Sequence, residues 1–246
     1  MHRDESMRLP SRIRWMHVRR LYETMEPYLK ASPMKLYRPD KGRVLVLSPH
    51  IDDDVIGAGG TLKKHSQNGD EVMAVYFADC TEERIKEAEE AASIIGINRL
   101  EFLEYRSKTL LSRQEIPDRL SGIIFDYRPE IVYLPSLFDR HNDHLAVNHL
   151  LAASHGKNRY DFTVCAYEVW STLIPNIVVD ISSSIDEKKE ALSRYKSQLS
   201  AQNWRDAAVS LNRYRGITSG AGEYAEAFMR YSVREYFRIW KSAYDR

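Results

Sequence analysis

The chain is poor in cysteine and in long apolar runs, and each shortage excludes a class of protein. Only two cysteines occur among its 246 residues, Cys80 and Cys165, which argues against a disulfide scaffold and for a reducing compartment. No apolar run approaches the roughly 20 residues that a membrane-spanning helix needs. The first twenty residues carry six arginines and no apolar block, so no secretory signal is expected. We therefore predict a cytoplasmic protein without a transmembrane segment.

The chain also lacks an excess of positively or negatively charged residues. Thirty-six Lys and Arg residues face 35 Asp and Glu residues, which leaves a formal net charge of +1 and predicts no nucleic-acid partner. A composition of 43% hydrophobic and 29% charged residues is typical of a folded globular protein and excludes collagen-like and disordered chains. The same composition is compatible with a homo-oligomer.

Residues 1–42 differ in composition from the rest of the chain. They are Arg-rich, contain four prolines and lack any strand-like run, so we interpret them as a basic, partly helical N-terminal extension with a helix over 12–30. Packing of this helix on the protein is the simpler interpretation. The alternative is peripheral contact of residues 1–30 with an anionic membrane through the arginines. Residues 43–246 are predicted to form one domain.

Within residues 43–246, short apolar runs alternate with helical patterns. Continuous apolar runs are typical of strands buried on both faces. The runs lie at 44–47, 72–78, 100–103, 131–134, 163–169 and 177–181. Helical patterns lie between them at 54–68, 82–95, 114–127 and 144–154, and three more follow at 185–200, 204–215 and from Tyr224 onward. This order predicts an α/β fold, a Rossmann-like three-layer sandwich with a mostly parallel sheet and helical C-terminal additions.

One cluster of His and Asp residues directly follows the first long strand. Residues 49–54 read Pro-His-Ile-Asp-Asp-Asp, and His50 and Asp53 are three positions apart, so their side chains can converge at a helix start. An imidazole with a carboxylate suits zinc or another divalent transition metal. Three consecutive carboxylates repel one another unless a cation or a helix N-terminus compensates their charge. The structural alternative is a solvated acidic helix cap.

A second cluster follows the run at 131–134. It contains His141 and His144, again three apart, with Asp139 and Asp143 near enough to orient an imidazole. Ligands bind beyond the carboxyl ends of strands in open α/β sheets, so the two clusters are expected to meet. Two His and one carboxylate leave a position for water, which is the composition of a catalytic zinc site. The remaining histidines are interpreted as structural or as part of the extension: His2, His17, His65, His149 and His155.

The two clusters resemble the motifs of the LmbE-like/PIG-L family of N-acetylglucosamine de-N-acetylases. The first family motif, Pro/Ala-His-Pro-Asp-Asp-Glu followed by Gly-Gly-Thr, matches residues 49–54 and 59–61. The second, His-x-Asp-His followed by small apolar residues, matches residues 141–147. Weaker agreement continues at Lys188 and at 222–228, so the resemblance covers about residues 43–230 and leaves the extension outside.

By position, the resemblance implies zinc ligands and catalytic residues: His50, Asp53 and His144 as ligands, and Asp52, His141 and Asp143 as catalytic residues. In the family pattern, Asp52 would be the general base, His141 would stabilise the oxyanion or protonate the leaving amine, and Asp143 would support the site. Ile51 replaces the usual proline and Asp54 the usual glutamate. We expect these departures to tune the site.

The activity implied by the resemblance is hydrolysis of the N-acetyl group of an N-acetylglucosamine-type amino sugar, releasing acetate. The substrate would be a small molecule or a glycan conjugate whose attached group the sequence leaves open. Two alternatives remain at this point. One is a zinc-dependent amidase that acts on a non-sugar conjugate, and the other is a non-catalytic metal-binding module.

Overall fold

An eight-stranded sheet organises the described part of the chain. The computed structural model describes residues 20, 23–24, 35–157 and 161–244. The strands are β1 (Lys35–Leu36), β2 (Val44–Ser48), β3 (Val72–Ala78), β4 (Arg99–Tyr105), β5 (Ile131–Pro135), β6 (Thr163–Tyr167), β7 (Ile177–Asp180) and β8 (Ala225–Ser232). Their order across the sheet is β1-β7-β8-β6-β5-β2-β3-β4, with β8 antiparallel to both of its neighbours and the other pairs parallel.

Helices cover both faces of this sheet. In chain order they are α1 (Asp53–Gln67), α2 (Glu82–Ile95), α3 (Ile116–Tyr127), α4 (Asn142–Lys157), α5 (Ile185–Leu192), α6 (Lys196–Leu199), α7 (Trp204–Ser219) and α8 (Val233–Tyr244). One core contains apolar residues of α1, α2, α5 and α7, and the other contains those of α3, α4 and α8. The predicted three-layer α/β sandwich with a mostly parallel sheet is therefore confirmed.

The central strands are almost wholly apolar because both of their faces are covered. Leu45 and Leu47 of β2 belong to one core, while Val44 and Val46 belong to the other, and all four are fully buried. This is the alternation expected of a strand between two helical layers. The continuous apolar run in the sequence thus has a direct structural cause.

The order of the strands places the two His and Asp clusters side by side. After β2 the chain passes outward to β3 and β4, and then returns to the other side of β2 to form β5. The carboxyl ends of β2 and β5 are therefore neighbours at a topological switch point, where α/β sheets bind ligands. The first cluster follows β2 and the second follows β5.

The prediction of an aromatic helix from Tyr224 onward is wrong in its first part. Residues 225–232 form β8, which inserts between β6 and β7, and the helix begins only at Val233. Short apolar stretches satisfy a buried strand and a buried helix equally well, so the pattern did not separate them. Phe237 and Trp240 lie in the terminal helix, where Phe237 stacks on His155 of α4 and Trp240 meets His149 of α4 edge-to-face.

The N-terminal extension is described only in small part. Of the helix predicted over 12–30, only residues 20 and 23–24 are described, and they are helical. Lys35–Leu36, which the sequence assigns to the extension, add the edge strand β1 beside β7. Among the helices that the structure describes, none has the length and apolar character required to cross a membrane.

A buried ion pair ties α1 to the rest of the fold. The Lys188 ammonium, fully buried, donates to a Glu226 carboxylate oxygen at 2.6 Å and to the Ile56 carbonyl at 2.8 Å. The same carboxylate accepts the backbone N–H groups of Gly60 and Thr61, both at 2.8 Å. Burial lowers the pKa of Lys188, against the attraction of Glu226. The pair thus anchors the helix whose first turn carries the Asp cluster to β8 and α5.

Replacing Lys188 by Met is expected to lower the free energy of unfolding by about 3–5 kcal/mol, because Glu226 would be left as an uncompensated buried charge. Urea unfolding at neutral pH measures the change. Lys189→Met is the matched control, since Lys189 pairs with the exposed Asp186 at 3.2 Å and its loss should cost about 1 kcal/mol or less. Equal stability of the two variants would contradict a structural role for the buried pair.

Candidate active site

Three histidines from the two motifs meet at the switch point. The ring centroids of His50 and His141 are 4.8 Å apart, those of His141 and His144 are 5.0 Å apart, and those of His50 and His144 are 5.6 Å apart. One nitrogen from each ring lies within 4.8 Å of the others. Among the described residues, this is a group that could share one metal ion.

The Asp53 carboxylate lies between two of these rings. Its Oδ2 atom is 3.1 Å from His50 Nδ1 and 3.1 Å from His144 Nε2. Tetrahedral zinc with ligands at about 2.0–2.1 Å separates its ligand atoms by roughly 3.3 Å. The spacing of His50, Asp53 and His144 therefore fits one zinc ion, although the sequence-based choice between Asp53 and His141 as a ligand stays a prediction.

His144 gives a second indication of a metal site. Its side chain is fully buried, and neither ring nitrogen forms a hydrogen bond of good geometry within the protein. Nε2 faces Asp53 at 3.1 Å and Nδ1 faces Asp139 Oδ2 at 3.2 Å, so the atoms are close but poorly aligned. A buried imidazole and carboxylate that approach without bonding to each other are suited to bind a common cation.

The charges of the carboxylates in this cluster also favour binding of a cation. Burial by itself would lower the pKa of His50, but hydrogen bonds to the carboxylates of Asp143 and Asp53 raise it to about 10. Burial likewise opposes the proton on His144, and the charge of Asp53 raises the pKa of that imidazole to about 9. Protons thus compensate the carboxylates when no metal is bound, and a divalent cation would displace them.

The three consecutive Asp side chains point to different partners. Asp53 faces the histidines, while Asp54 accepts a hydrogen bond from the Tyr76 hydroxyl at 2.8 Å and does not line the cavity. Asp52 lines the cavity beside His50. Burial, with the negative charge of Asp53, raises the pKa of Asp52 to about 7, a value near that of an effective general base at neutral pH.

Two further carboxylates hold the histidines in place. Asp143 Oδ2 lies 3.3 Å from His50 Nε2 and accepts the Ser107 hydroxyl at 2.6 Å, while its Oδ1 accepts the Lys108 backbone N–H at 2.8 Å. Burial opposes the charge of Asp143, but these hydrogen bonds lower its pKa to about 2. Asp139 faces His144 and also accepts the backbone N–H of His141 at 2.9 Å. Asp143 therefore contacts and orients His50, which belongs to the other motif.

His141 differs from the other two histidines. It is half-buried, and burial together with the nearby positive charges of His50 and His144 lowers its pKa. Its Nδ1 accepts the Asp143 backbone N–H at 3.3 Å. A neutral imidazole that accepts at Nδ1 carries its proton on Nε2, so this ring offers one N–H donor to a ligand.

A cavity of about 220 Å³ adjoins this cluster. Besides His50, Asp52, Asp53 and His141, its walls are formed by Ile56 of α1 and by residues from other segments: Asp79, Arg84, Ser107, Trp170, Gln198 and Trp204. No function was predicted from the sequence for Asp79, Ser107, Trp170 or Trp204. The first three follow the ends of β3, β4 and β6, so position at a strand's carboxyl end was the signal that could have found them.

Three residues that do not line the catalytic cavity have structural explanations, among them one histidine, His65, that the sequence placed outside the site; His2 and His17 lie outside the described residues. His65 bonds to Asp70 at 2.8 Å and to the Tyr133 hydroxyl at 3.0 Å inside the core. Gly57 packs so closely that a Cβ atom would come within 2.2 Å of the Tyr167 ring, so close packing of α1 on the sheet accounts for this glycine. Burial raises the pKa of Cys80 to about 11, so its thiol is a poor nucleophile.

Comparison with known proteins relates the chain to a family of de-N-acetylases. Residues 45–154, which contain both motifs, match the PIG-L family model, described as GlcNAc-PI de-N-acetylase. The chain is 26% identical over 214 residues to the diacetylchitobiose deacetylase of Thermococcus kodakarensis, with 74% of the chain and 80% of the relative covered.

Two solved structures share the fold. The N,N'-diacetylchitobiose deacetylase of Pyrococcus horikoshii, in complex with an inhibitor, aligns with a TM-score of 0.68 and 25% identity, covering 87% of this chain and 92% of that one. A conserved protein of Thermus thermophilus aligns with a TM-score of 0.68 and 29% identity, covering 76% of this chain and 93% of that one.

Proposed function

The chain carries a PIG-L (LmbE-like) family domain, and from this premise we propose that it is a zinc-dependent hydrolase acting on an N-acetylglucosamine-type amino sugar or its conjugate. The reaction adds water across the acetamide C–N bond and releases acetate and the free amine. The observation that carries the proposal is the His50, Asp53 and His144 cluster with Asp52 on the same cavity wall.

We assign the metal to His50, Asp53 and His144, whose atoms have spacings that fit a tetrahedral ion. When bound, zinc would lower the pKa of a water molecule to about 7 and polarise the amide carbonyl. Another divalent transition metal could use the same ligands. Asp143 orients the His50 imidazole through its hydrogen bond at 3.3 Å, and Asp139 faces Nδ1 of His144 at 3.2 Å.

Asp52 is the proposed general base. It lies next to a proposed ligand in sequence but faces the cavity, so its carboxylate is free to accept a proton from the attacking water. The amide nitrogen must gain a proton before the C–N bond breaks. Asp52, having accepted a proton, can return it to that nitrogen, which balances the reaction without another acid.

His141 is the proposed donor to the oxyanion. Its Nε2–H is set by the hydrogen bond that Nδ1 accepts from the Asp143 backbone, and a neutral donor aimed at developing negative charge stabilises the tetrahedral state. Protonation of the leaving amine by His141 is the alternative role. A lowered pKa makes this imidazole a better hydrogen-bond donor than a reservoir of protons at neutral pH.

Two other functions use the same site. A zinc-dependent amidase on a non-sugar conjugate would need the same metal ligands, base and donor. A non-catalytic metal-binding module would not need Asp52, whose cavity-facing position favours catalysis. The division into an extension, 1–42, and a deacetylase domain, 43–246, is part of the proposal, as are a cytoplasmic location and the absence of a nucleic-acid partner.

Acetate release from N-acetylated sugars and from non-sugar amides tests the function. We expect release from N-acetylglucosamine-type substrates, loss of release after removal of metal with a chelator, and recovery when zinc is restored. Asp52→Asn protein, loaded with zinc in the same way, controls for release that does not depend on the site. Release from non-sugar amides alone would replace the sugar assignment, and release from neither class by zinc-loaded protein would refute catalysis.

A further inference from the structure

A second cavity, here called the side cavity, adjoins the catalytic one. It has a volume of about 230 Å³ and shares two wall residues with the catalytic cavity, Ile56 and Trp204. It lies between α1, α7, β8 and the loop after β6. Small side chains leave this space open, and they come from three of these elements: Gly57, Ala207, Ala208 and Ala227. The catalytic cavity therefore has a neighbouring space to which the proposed reaction assigns no role.

Asn212 of α7 brings an unpartnered acceptor to the wall of the side cavity. The residue is only 5% exposed, and its Nδ2 donates to the Ala225 carbonyl at 3.1 Å. Its Oδ1 has no hydrogen-bond partner within the described part of the protein. A buried acceptor without a partner is costly, and most such atoms in folded proteins are paired. A ligand that brings an O–H or N–H donor into the side cavity would supply the partner of Oδ1.

The polarity of the catalytic cavity indicates which part of the substrate faces the side cavity. The polar residues of its wall can bond the hydroxyls of a sugar, and they are Asp79, Arg84, Ser107 and Gln198. Ile56 follows Asp53 by three positions in α1, so it lies on the same helix face as this proposed metal ligand. The acyl carbon must lie beside the metal, and the rest of the acyl group is apolar. We therefore expect the acyl group to lie against Ile56 and Trp204, the two residues that the cavities share.

We infer that the side cavity receives the tail of an N-acyl group longer than acetyl, with a hydroxyl on this tail donating to Asn212 Oδ1. The start of the chain would lie against Ile56 and the remainder beyond Trp204. This inference rests on the proposed hydrolysis of an N-acyl amino sugar and extends its substrate class from acetyl to short hydroxyacyl amides. The reaction is unchanged: water adds across the amide C–N bond, and the products are a hydroxy acid and the free amine.

The size and charge of the side cavity limit the chain to a short, uncharged one. Its volume is below the roughly 300–1,000 Å³ of pockets that enclose a drug-sized ligand, so a long lipid tail would not fit. Glu168 also lines it, and its carboxylate pairs with the Arg215 guanidinium and accepts the Leu173 backbone N–H at 2.8 Å. An anionic chain would meet this carboxylate, and a cationic one would find its charge already compensated. A neutral hydroxyl fits the remaining chemistry.

Equilibrium binding to the zinc-loaded Asp52→Asn variant tests the acyl subsite without turnover. The probes are N-acetylglucosamine, N-hexanoylglucosamine and N-(5-hydroxypentanoyl)glucosamine, of which the last two have chains of equal length that end in a methyl or a hydroxyl. By calorimetry, the hydroxypentanoyl sugar is expected to bind about tenfold more tightly than the acetyl sugar, because its longer chain leaves water. It should also bind about fivefold more tightly than the hexanoyl sugar, whose methyl leaves Asn212 Oδ1 unpaired.

Two substitutions in the side cavity should remove these two preferences separately. Ala207→Leu fills the cavity and should lower the affinity for the hydroxypentanoyl sugar to that for the acetyl sugar. Asn212→Leu keeps the shape of the side chain but removes the acceptor, so the hexanoyl sugar should then bind at least as tightly as the hydroxypentanoyl sugar. Ser210→Leu is the matched control, since Ser210 is an exposed residue of α7 that lines neither cavity. Both preferences should remain in this variant.

Equal affinity of the acetyl and hydroxypentanoyl sugars for the Asp52→Asn variant would overturn the subsite, as would a preference that survives Ala207→Leu. Tighter binding of the hexanoyl than of the hydroxypentanoyl sugar, with Asn212 in place, would overturn the role of its Oδ1. These outcomes are separate from the proposed function. Acetate release by a protein without the chain-length preference would refute the subsite alone. Binding of the hydroxypentanoyl sugar without release of the free amine, even with zinc and Asp52 present, would refute hydrolysis and leave the subsite intact.

Discussion

Asp53→Asn protein is expected to lose its zinc and, as a consequence, its activity. Asparagine keeps the shape of the side chain but removes the charge that lies 3.1 Å from both His50 Nδ1 and His144 Nε2. Loss of a residue that merely orients a ligand costs about 10–100-fold in metal affinity, so loss of a ligand should cost at least about 100-fold. Competition with a fluorescent zinc chelator measures the affinity, and elemental analysis gives the stoichiometry. His50→Ala and His144→Ala should behave alike.

Asp54→Asn is the control from the same motif. Asp54 is also a buried aspartate, but its carboxylate accepts a hydrogen bond from Tyr76 and does not line the cavity. Its zinc affinity should stay close to that of the unmodified protein. If Asp54→Asn lost as much affinity as Asp53→Asn, the effect would be one of general charge and the ligand assignment would fail.

A His141→Ala variant extends the test, because the His141 ring also belongs to the cluster of three histidines. If His141 is the donor to the oxyanion, His141→Ala should keep its zinc and lose turnover. Loss of zinc from His141→Ala together with retention in Asp53→Asn would replace the carboxylate ligand by a third imidazole. The two variants therefore separate two ligand sets that the distances alone both allow.

The fold was largely predictable because its central strands are buried on both faces. Short continuous apolar runs such as 44–47 and 131–134 are typical of strands covered on both sides, and their alternation with helical patterns predicts a parallel sheet. The strand at 225–232 was not predictable in the same way. It runs antiparallel between two strands that precede it in the chain, so only the completed sheet shows where it fits.

Site residues that lie close together in the sequence could be predicted from their spacing. Those that only the order of the strands brings together could not. His50 and Asp53 converge within one helix start, whereas Ser107 reaches Asp143 across 36 positions. Lys108, which donates its N–H to Asp143, has a φ of 66°, a left-handed conformation that costs a non-glycine residue of the order of 1–3 kcal/mol. No sequence pattern predicts lysine there, because the surrounding structure imposes that conformation.

Asp52→Asn is expected to keep zinc bound while turnover falls by about 100- to 10,000-fold, the range that a positioned general base contributes. Adjacent side chains leave the backbone in different directions, and here Asp53 faces His50 and His144 while Asp52 lines the cavity. Asparagine preserves the size and shape of Asp52 but replaces the basic oxygen with a donating NH2 group. We therefore expect kcat to fall with little change in substrate affinity, because the substitution removes an interaction made in the transition state.

Zinc stoichiometry and turnover must be measured on the same preparations of Asp52→Asn and Asp53→Asn, since either quantity alone would not separate base from ligand. Full zinc with little turnover in the first variant, and little of either in the second, is the expected pair of results. If Asp52→Asn lost its zinc while Asp53→Asn kept it, the two roles would be exchanged. If zinc-loaded Asp52→Asn remained fully active, the proton acceptor would be another group and the assignment of Asp52 as the base would fail.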